Sequence, residues 1–525
     1  MKRCLLLLIL LAMPPVLLAN GSEIIYKTDH EYMFAEFSSI ERGKALLSNS
    51  HAVTRHEFHK TVSSRHMGRS KGFSFDLSPT IRPFVAGYYS PYYHYDNYPV
   101  PLMYLFESQQ DICTLAMSMA LDDGFFLKYT YSVGASAAEL SGPGIYHPFS
   151  LGTYAAGDSP DEGYLSFAND SFSVTFGRFK GGIGHGLSGN LFQNSRAPYY
   201  DQIQLSLYAP FVKVYYMLGT SNYQLKGSEH QVQNRAPITQ NYVKTWGSYA
   251  EKTSRVQKES DNIKMFAFHR IELKPLTAIR LGLGEMNLVG GKFPDFNMMN
   301  PAGMYHDTYD ANYHSYTFLF DIAVVPFKHH MFFFEFLSND IQAPGERNGD
   351  PTAVGFQGGY WYILPVESAM KHRIGIEATH LDTWTYSDIV PYLTMYQRQM
   401  RRESRYDIPL GYAYGGDCEH VGLYYTALAE DGFILNLSIQ RLHKGEVRFQ
   451  MKDGEMPYAD AYKYQGRPSG VVEMWSTVEG SSTIPFNDMI DIDLKGHYSF
   501  IENFQNNKEN DVHLLYVSSG ITVEF

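Results

Sequence analysis

Two residues near the end of the chain have the types of a nucleophile and its base. His497 and Ser499 lie two positions apart, so their side chains would share one face of a β-strand. Nucleophilic catalysis also needs an orienting group and an oxyanion hole, and the sequence identifies neither. We therefore expect no catalytic residues and no enzymatic activity, and hydrolysis is the third of the functions considered.

A second pattern is rich in glycine. Gly184, Gly186 and Gly189 have the G-x-G-x-x-G spacing of dinucleotide-binding loops. Such a site requires an amphipathic helix directly after the glycines, whereas the proline-containing stretch 194–200 follows here. We interpret these glycines as a turn or as a loop folded inward, and we predict no cofactor.

Histidines occur in close pairs at two places. His329 is followed by His330, and His56 lies three residues before His59. Metal binding would require a convergent third ligand, so we interpret these residues as surface histidines and predict no metal.

Aromatic residues beside carboxylates form clusters of another kind. Sugars present apolar C–H faces that stack on Trp and Tyr rings, while their hydroxyls bond to carboxylates. These clusters are candidates for polysaccharide binding, and rings at a membrane interface are the alternative interpretation. The candidates are Trp384, Tyr386, Asp382, Tyr305, Asp307, Tyr309 and Trp246.

The scaffold that must position these residues alternates apolar and polar side chains from about residue 73 onward. Ile271, for example, lies between Arg270 and Glu272. A soluble β-sandwich would not bury such charges, whereas a barrel with a polar lumen can. We expect a charge network in the lumen, formed by Arg270, Glu272, Arg373 and Glu377.

The length of the alternating region sets the size of the barrel. At about ten spanning residues per strand, about 450 residues predict an antiparallel transmembrane β-barrel of about 18 strands. The barrel is expected to cover residues 73–525, with long surface loops at 132–163, 224–261, 295–313, 382–411 and 444–468.

The composition agrees with a membrane barrel. The chain has 41 Tyr and 34 Phe, its mean hydropathy is only -0.27, and no apolar run of about 18 residues occurs after residue 21. The net charge of -12 without a basic stripe makes nucleic acid an unlikely partner. Cys113 and Cys418 permit one disulfide, and two free thiols are the alternative.

Both ends of the chain indicate export to the outer membrane. Lys2 and Arg3 precede an apolar stretch, which predicts a signal peptide at residues 1–21, with cleavage after Gly21 preferred to cleavage after Ala19. The last strand alternates and ends at Phe525. It resembles the closing strand of outer-membrane barrels, where the terminal aromatic is recognised by the barrel-assembly machinery.

Residues 22–72 differ from the rest because their apolar residues recur at steps of three and four. We predict a small periplasmic helical segment, interrupted near Gly43 and at residues 48–50, that plugs the barrel or packs beneath it. A partly disordered arm is the alternative.

Several short stretches follow one another along the chain: 176–179, 189–195, 197–198, 201–207, 269–272, Pro275, 284–285, 300–301, 332–336, 339–340, 409–411 and 415–417. In this order they resemble the Wzi-type capsule-assembly family of outer-membrane proteins. The resemblance implies an 18-stranded barrel with a periplasmic helical bundle, acting as a surface lectin for capsular or other exopolysaccharide. Ile183 and His185 depart from the family's glycine-rich stretch, and the loops vary too much to carry over any binding residue.

These observations predict a monomeric outer-membrane barrel, surrounded by membrane lipid, that binds surface polysaccharide and takes part in capsule assembly without catalysis. A porin or substrate-specific channel is the alternative, because the sequence does not show whether the lumen is plugged. An outer-membrane hydrolase is the third possibility.

Overall fold

A computed structural model describes residues 20–61, 72–89, 111–135, 144–146, 155–221, 264–290, 296–297, 299–305, 314–340, 352–366, 368–387, 393–401, 404–447 and 468–525. The helices are His30–Glu41 and Arg55–Thr61, with a short 3-10 helix at Phe504–Asn506. Among the helices of these ranges, none is long and apolar enough to cross a membrane. Residues 1–19 and the loop 224–261 lie outside the described residues.

The strands follow one another through most of the chain. In chain order they are β1 (Ile24–Ile25), β2 (Ser50–His51), β3 (Val53–Thr54), β4 (Phe73–Ile81), β5 (Phe84–Tyr89), β6 (Asp111–Leu121), β7 (Phe125–Ala135), β8 (Gly144–Tyr146), β9 (Ala155–Ala168), β10 (Phe172–Phe179), β11 (Gly182–Ile183), β12 (Tyr200–Ala209), β13 (Val212–Ser221), β14 (Lys264–Leu276), β15 (Ile279–Gly290), β16 (His314–Phe327), β17 (His330–Asp340), β18 (Ala353–Ile363), β19 (Met370–Leu381), β20 (Tyr396–Arg401), β21 (Ser404–Pro409), β22 (Cys418–Ala429), β23 (Ile434–Lys444), β24 (Glu473–Asn487), β25 (Ile490–Glu502) and β26 (Val512–Glu524).

The main sheet is a closed antiparallel barrel of 18 strands, as predicted. The strands β4 and β5 together occupy one position beside β26, and the short β8 adds to the edge of β5. Arg82 and Pro83 separate β4 from β5, and proline cannot donate to a strand ladder. Closure between β26 and this first position leaves no open edge in the barrel.

The two faces of the wall differ in polarity as the alternation predicted. Ile271 is 38% exposed on the outer face, whereas its neighbours Arg270 and Glu272 are buried inside. On the last strand, Val517 faces outward and Ser518 faces inward. An apolar exterior around a polar interior is the arrangement that lipid on one side requires.

The two ends of the barrel differ in the length of their connections. Short turns join β6 to β7, β9 to β10, β12 to β13 and the later pairs up to β24 and β25, so they all lie at one end, which we call the turn end. The longer connections lie at the opposite, loop end. Residues 20–61, the N-terminal segment, contact the turn end: the Ala45 amide donates to the Thr277 carbonyl, and His329 donates to Ile40.

The N-terminal segment is helical where the steps of three and four between its apolar residues predict a helix. The helix His30–Glu41 ends just before Gly43, whose φ of +74° is readily adopted only by glycine.

The two cysteines of the barrel are not joined by a disulfide. Cys418 is buried, Cys113 is exposed on another strand, and both are free thiols.

A charge on the outer face should destabilise the barrel. Ile439 faces outward in the middle of β23, so Ile439→Arg should lower the free energy of unfolding by about 2–4 kcal/mol in lipid vesicles. Urea titration of the folded protein in vesicles measures this change. The control Glu430→Arg, in the exposed turn before β23, should stay within about 0.5 kcal/mol. Equal losses for the two variants would contradict a lipid-facing position for Ile439.

Candidate functional site

Four buried charges on the inner wall form one network, which we call the wall network: Arg270, Glu272, Arg280 and Asp321. Arg270 Nε lies 3.1 Å from Glu272 Oε1, and its Nη2 lies 2.5 Å from Asp321 Oδ2. Arg280 pairs with Asp321 and lies 3.6 Å from Glu272. Two cations therefore balance two carboxylates, which is the condition for burying them together.

A glycine makes room for this network. Gly282 on β15 lies between Glu272 and Asp321 in the strand register. A Cβ at this position would lie 2.1 Å from Arg270 Nη2 and 2.4 Å from Asp321 Oδ2. Arg270 and Glu272 were predicted to face the lumen, whereas Arg280 and Asp321 were not identified from the sequence. Alternation along β15 and β16 places both side chains on the inner face. Which charges they contact depends on the register of β14, β15 and β16.

The wall network holds the N-terminal segment inside the lumen. Both arginines donate to Asn49 Oδ1 at 2.8 Å, and Asn49 Nδ2 donates to Asp321 at 3.2 Å. The Ser50 hydroxyl donates to Glu272 at 3.0 Å. Residues 48–50 were predicted as a break between helices, and they are the point at which the segment is attached to the wall.

A second buried pair attaches the next helix. Lys213 Nζ on β13 lies 2.5 Å from Glu57 Oε1, and both side chains are fully buried. Lys213 also donates to the Ser48 hydroxyl at 3.0 Å. Burial raises the pKa of Glu57, although the neighbouring ammonium of Lys213 opposes that rise.

The predicted partners Arg373 and Glu377 hold two different segments. The Arg373 guanidinium lies 4.0 Å from Glu36 of the N-terminal segment and over the ring of Trp361. Glu377 accepts from the amides of Leu187 and Ser188, at 2.7 and 3.1 Å. These two wall residues therefore do not simply neutralise each other, and each fixes a segment that fills the lumen.

The glycine-rich stretch is the core of a second filling segment, residues 180–199, which we call the inward segment. Its strand β11 pairs with β2 of the N-terminal segment inside the barrel. Glu335 accepts from the His185 amide at 2.7 Å. Gly184 has a φ of +135°, and a Cβ there would lie 2.6 Å from Glu335 Oε1. The prediction of an inward-folded loop is confirmed, because these amides bind carboxylates of the wall.

Buried ionisable groups of the two filling segments have shifted pKa values. Burial lowers the pKa of Lys27 and raises that of Glu36, although neighbouring carboxylates oppose the first shift and neighbouring cations oppose the second. Burial also lowers the pKa values of His51 and His185 well below the ordinary range, and nearby cations add to this effect. Both imidazoles are therefore neutral near pH 7.

A third segment covers the inward segment from the loop end. This cover segment comprises residues 382–387, 393–401 and 404–417, including the hairpin of β20 and β21. The Tyr386 hydroxyl donates to the Leu191 carbonyl, and Tyr412 donates to Ser188 Oγ at 2.9 Å. Phe192 of the inward segment packs on Phe268 of the wall, with ring centroids 4.4 Å apart. An apolar core therefore lies inside the lumen, toward its loop end.

Three of the predicted sugar-binding rings are buried. Trp384, Tyr386 and Tyr305 are 2%, 1% and 0% exposed, so they offer no ring face to a polysaccharide, and this part of the prediction is corrected. Tyr305 stacks on His269, with centroids 4.5 Å apart. Asp382 accepts from the Val354 amide at 3.2 Å and lies 3.2 Å from His380. Contact with segments distant in sequence buries the rings, and alternation does not reveal such contacts. The other candidates, Asp307, Tyr309 and Trp246, lie outside the described residues.

The candidate nucleophile Ser499 and the candidate base His497 lie within hydrogen-bonding distance of each other. Ser499 Oγ lies 2.8 Å from His497 Nε2 and 2.7 Å from Thr477 Oγ1. Both His497 and Ser499 are buried on the inner face of β25.

Among the paired histidines, His56 lies 3.4 Å from Asp123 and from Asp170, and His330 bonds to the Tyr360 hydroxyl at 2.7 Å. The described part of the chain contains no group of three or more potential ligands that could hold a metal.

Breaking the second buried pair should loosen the N-terminal segment. Lys213→Ala leaves the Glu57 carboxylate buried without its cation and should cost about 3–5 kcal/mol in unfolding free energy. The apolar double variant Glu57→Leu with Lys213→Met should recover most of that loss. Lys371→Ala breaks the partly exposed pair with Glu41 and should cost about 1 kcal/mol or less. A similar loss for Lys213→Ala and Lys371→Ala would contradict the anchoring role of Lys213.

A side chain at Gly184 should disturb the inward segment. Gly184→Ala combines a strained backbone with a clash against Glu335, and should cost about 1–3 kcal/mol. Limited proteolysis and urea unfolding measure the change. Gly496→Ala is the control, because a Cβ there meets no atom within 4 Å. Unchanged protease resistance in the Gly184 variant would contradict the need for glycine at this position.

Comparison with known proteins supports the fold. No protein-family model and no curated protein matches the sequence. Wzi of Escherichia coli is described as an outer-membrane protein involved in Group 1 capsule assembly and as a carbohydrate-binding β-barrel. It aligns over 97% of this chain and 100% of its own, with a TM-score of 0.57 and 13% identity.

Two Pseudomonas aeruginosa barrels align less well. OccD3 (OpdP) covers 87% of this chain and 93% of its own, with a TM-score of 0.42 and 8% identity. OprD covers 87% of this chain and 97% of its own, with a TM-score of 0.41 and 9% identity. At 13% identity the likeness to Wzi concerns the fold alone. The resemblance noted in the sequence is confirmed at that level: the chain is an 18-stranded barrel of the outer-membrane type whose fold is similar to that of Wzi.

Proposed function

We propose that this chain is an outer-membrane protein that binds capsular or other exopolysaccharide at the cell surface and organises it there, without enzymatic activity. The observation that carries the proposal is the likeness to Wzi over nearly the whole of both chains. Wzi is described as a carbohydrate-binding barrel involved in capsule assembly. The proposal transfers that activity to a chain of similar fold.

The filling of the lumen supports binding over transport. The N-terminal segment, the inward segment and the cover segment occupy the barrel. The buried Lys213–Glu57 ion pair attaches the first to the wall, and hydrogen bonds from backbone amides to Glu335 and Glu377 attach the second. A porin or substrate-specific channel, the alternative, needs a lumen wide enough for its solute. A rigid, filled barrel instead suits a protein that presents loops.

The loop end is the part of the barrel that would contact polysaccharide. Its long connections emerge from a rigid scaffold, and loops held in this way commonly carry binding residues. A repeating polymer can engage several weak sites at once, so its overall affinity exceeds that of each site. Catalysis is not required by this mechanism, and the buried Ser499 is a poor candidate for attack on a polymer or lipid.

Retention on immobilised surface polysaccharide from the source cell tests the proposal. Purified, detergent-solubilised protein should be retained, and free polysaccharide should elute it. Trp246→Ala with Tyr309→Ala removes two candidate rings and should reduce retention. Tyr386→Phe removes only the hydroxyl of a buried ring, so a folded variant should be retained like the wild type.

The outcomes separate the proposed functions. Absence of specific retention by folded wild-type protein would refute polysaccharide binding. Release of an ester or lipid hydrolysis product that disappears in Ser499→Ala would instead establish the hydrolase.

A further inference from the structure

A cavity of about 760 Å³ lies between the filling segments and one side of the wall. Its wall side comes from β6, β7, β9, β10, β19 and β23 to β25, and its other side comes from the N-terminal and inward segments. The wall network lies on β14 to β16, across the barrel from this region. The filling segments thus meet the wall network on one side and border this cavity on the other.

The cavity extends along the whole barrel. Asp111, the first residue of β6, lies at the loop end, whereas Ile434 and Thr483 lie near turns at the turn end, and all three line the cavity. An eleven-residue strand tilted by about 40° spans roughly 28 Å along the barrel axis. Dividing the cavity volume by this length gives a mean cross-section on the order of 27 Å². At about 30 Å³ per water molecule, the cavity holds on the order of 25 waters.

Charged side chains in the lining require water. Lys180 is exposed, Asp161 and Lys495 are half-buried, and all three line the cavity. Moving a charge from water into a dry cavity costs many kcal/mol, so this space is hydrated.

We propose that this cavity is a hydrated passage through which small inorganic ions cross the barrel beside the filling segments. Its cross-section admits water and monovalent ions but excludes a polysaccharide chain. Among the described lining residues, five are cationic and four are acidic, so the passage should favour anions slightly. This activity goes beyond polysaccharide binding and does not depend on it.

Conductance in planar lipid bilayers tests the passage with the full-length protein in KCl. Wild-type protein should give a small, stable conductance. Asn436→Trp places a large ring in the cavity and should remove most of that conductance. Leu437→Trp is the matched control, because the next residue on the same strand faces outward, and its conductance should equal that of the wild type.

A charge change provides a test that does not depend on the bulky variant folding. Lys495 lines the cavity, so Lys495→Glu should shift the reversal potential in a KCl gradient from anion toward cation preference. No wild-type conductance above that of the bare bilayer would overturn the proposal. So would equal loss in the Asn436 and Leu437 variants, or an unchanged reversal potential in Lys495→Glu.

Retention on polysaccharide, measured with the same preparation, keeps the two proposals apart. Retention without conductance would refute the passage and leave polysaccharide binding intact. Conductance without retention would refute polysaccharide binding and leave the passage intact.

Discussion

The apolar outer surface of the barrel imposes the constraint on which the other features depend. Because alternate residues of every strand face outward, the remaining residues face the lumen and include charges such as Arg270 and Lys213. Those charges must meet water or partners of opposite sign. Arg270 meets carboxylates of the wall and Asn49 of the N-terminal segment, whereas Lys213 meets Glu57 of that segment.

The filling segments are chemically matched to the wall. The N-terminal segment brings Glu57 to Lys213 and Asn49 to the wall network, whereas the inward segment brings backbone amides to Glu335 and Glu377. Backbone amides stabilise these buried carboxylates, and glycines permit the close approach. The pattern of glycines that is shared with dinucleotide-binding loops therefore serves here to bind carboxylates of the same chain.

Local periodicity explains which features could be predicted from the sequence. A period of two placed Arg270 and Glu272 inside the barrel, and the rhythm before Gly43 indicated the helix His30–Glu41. Contacts between segments distant in sequence have no such signal. The Tyr386 hydroxyl donates to the carbonyl of Leu191, which lies almost two hundred residues earlier in the chain. This ring, predicted from its neighbours in the sequence to bind sugar, is therefore part of the core. The pairing of Arg280 with Asp321 was missed for the same reason.

The small sheet of β2 and β11 links segments that enter the lumen from opposite ends. Residues 50–51 come from the turn end, and residues 182–183 come from the loop end. Neither segment can form this sheet until the other has entered the barrel. The sheet therefore exists only while both segments occupy the lumen, and withdrawal of either one would break its hydrogen bonds.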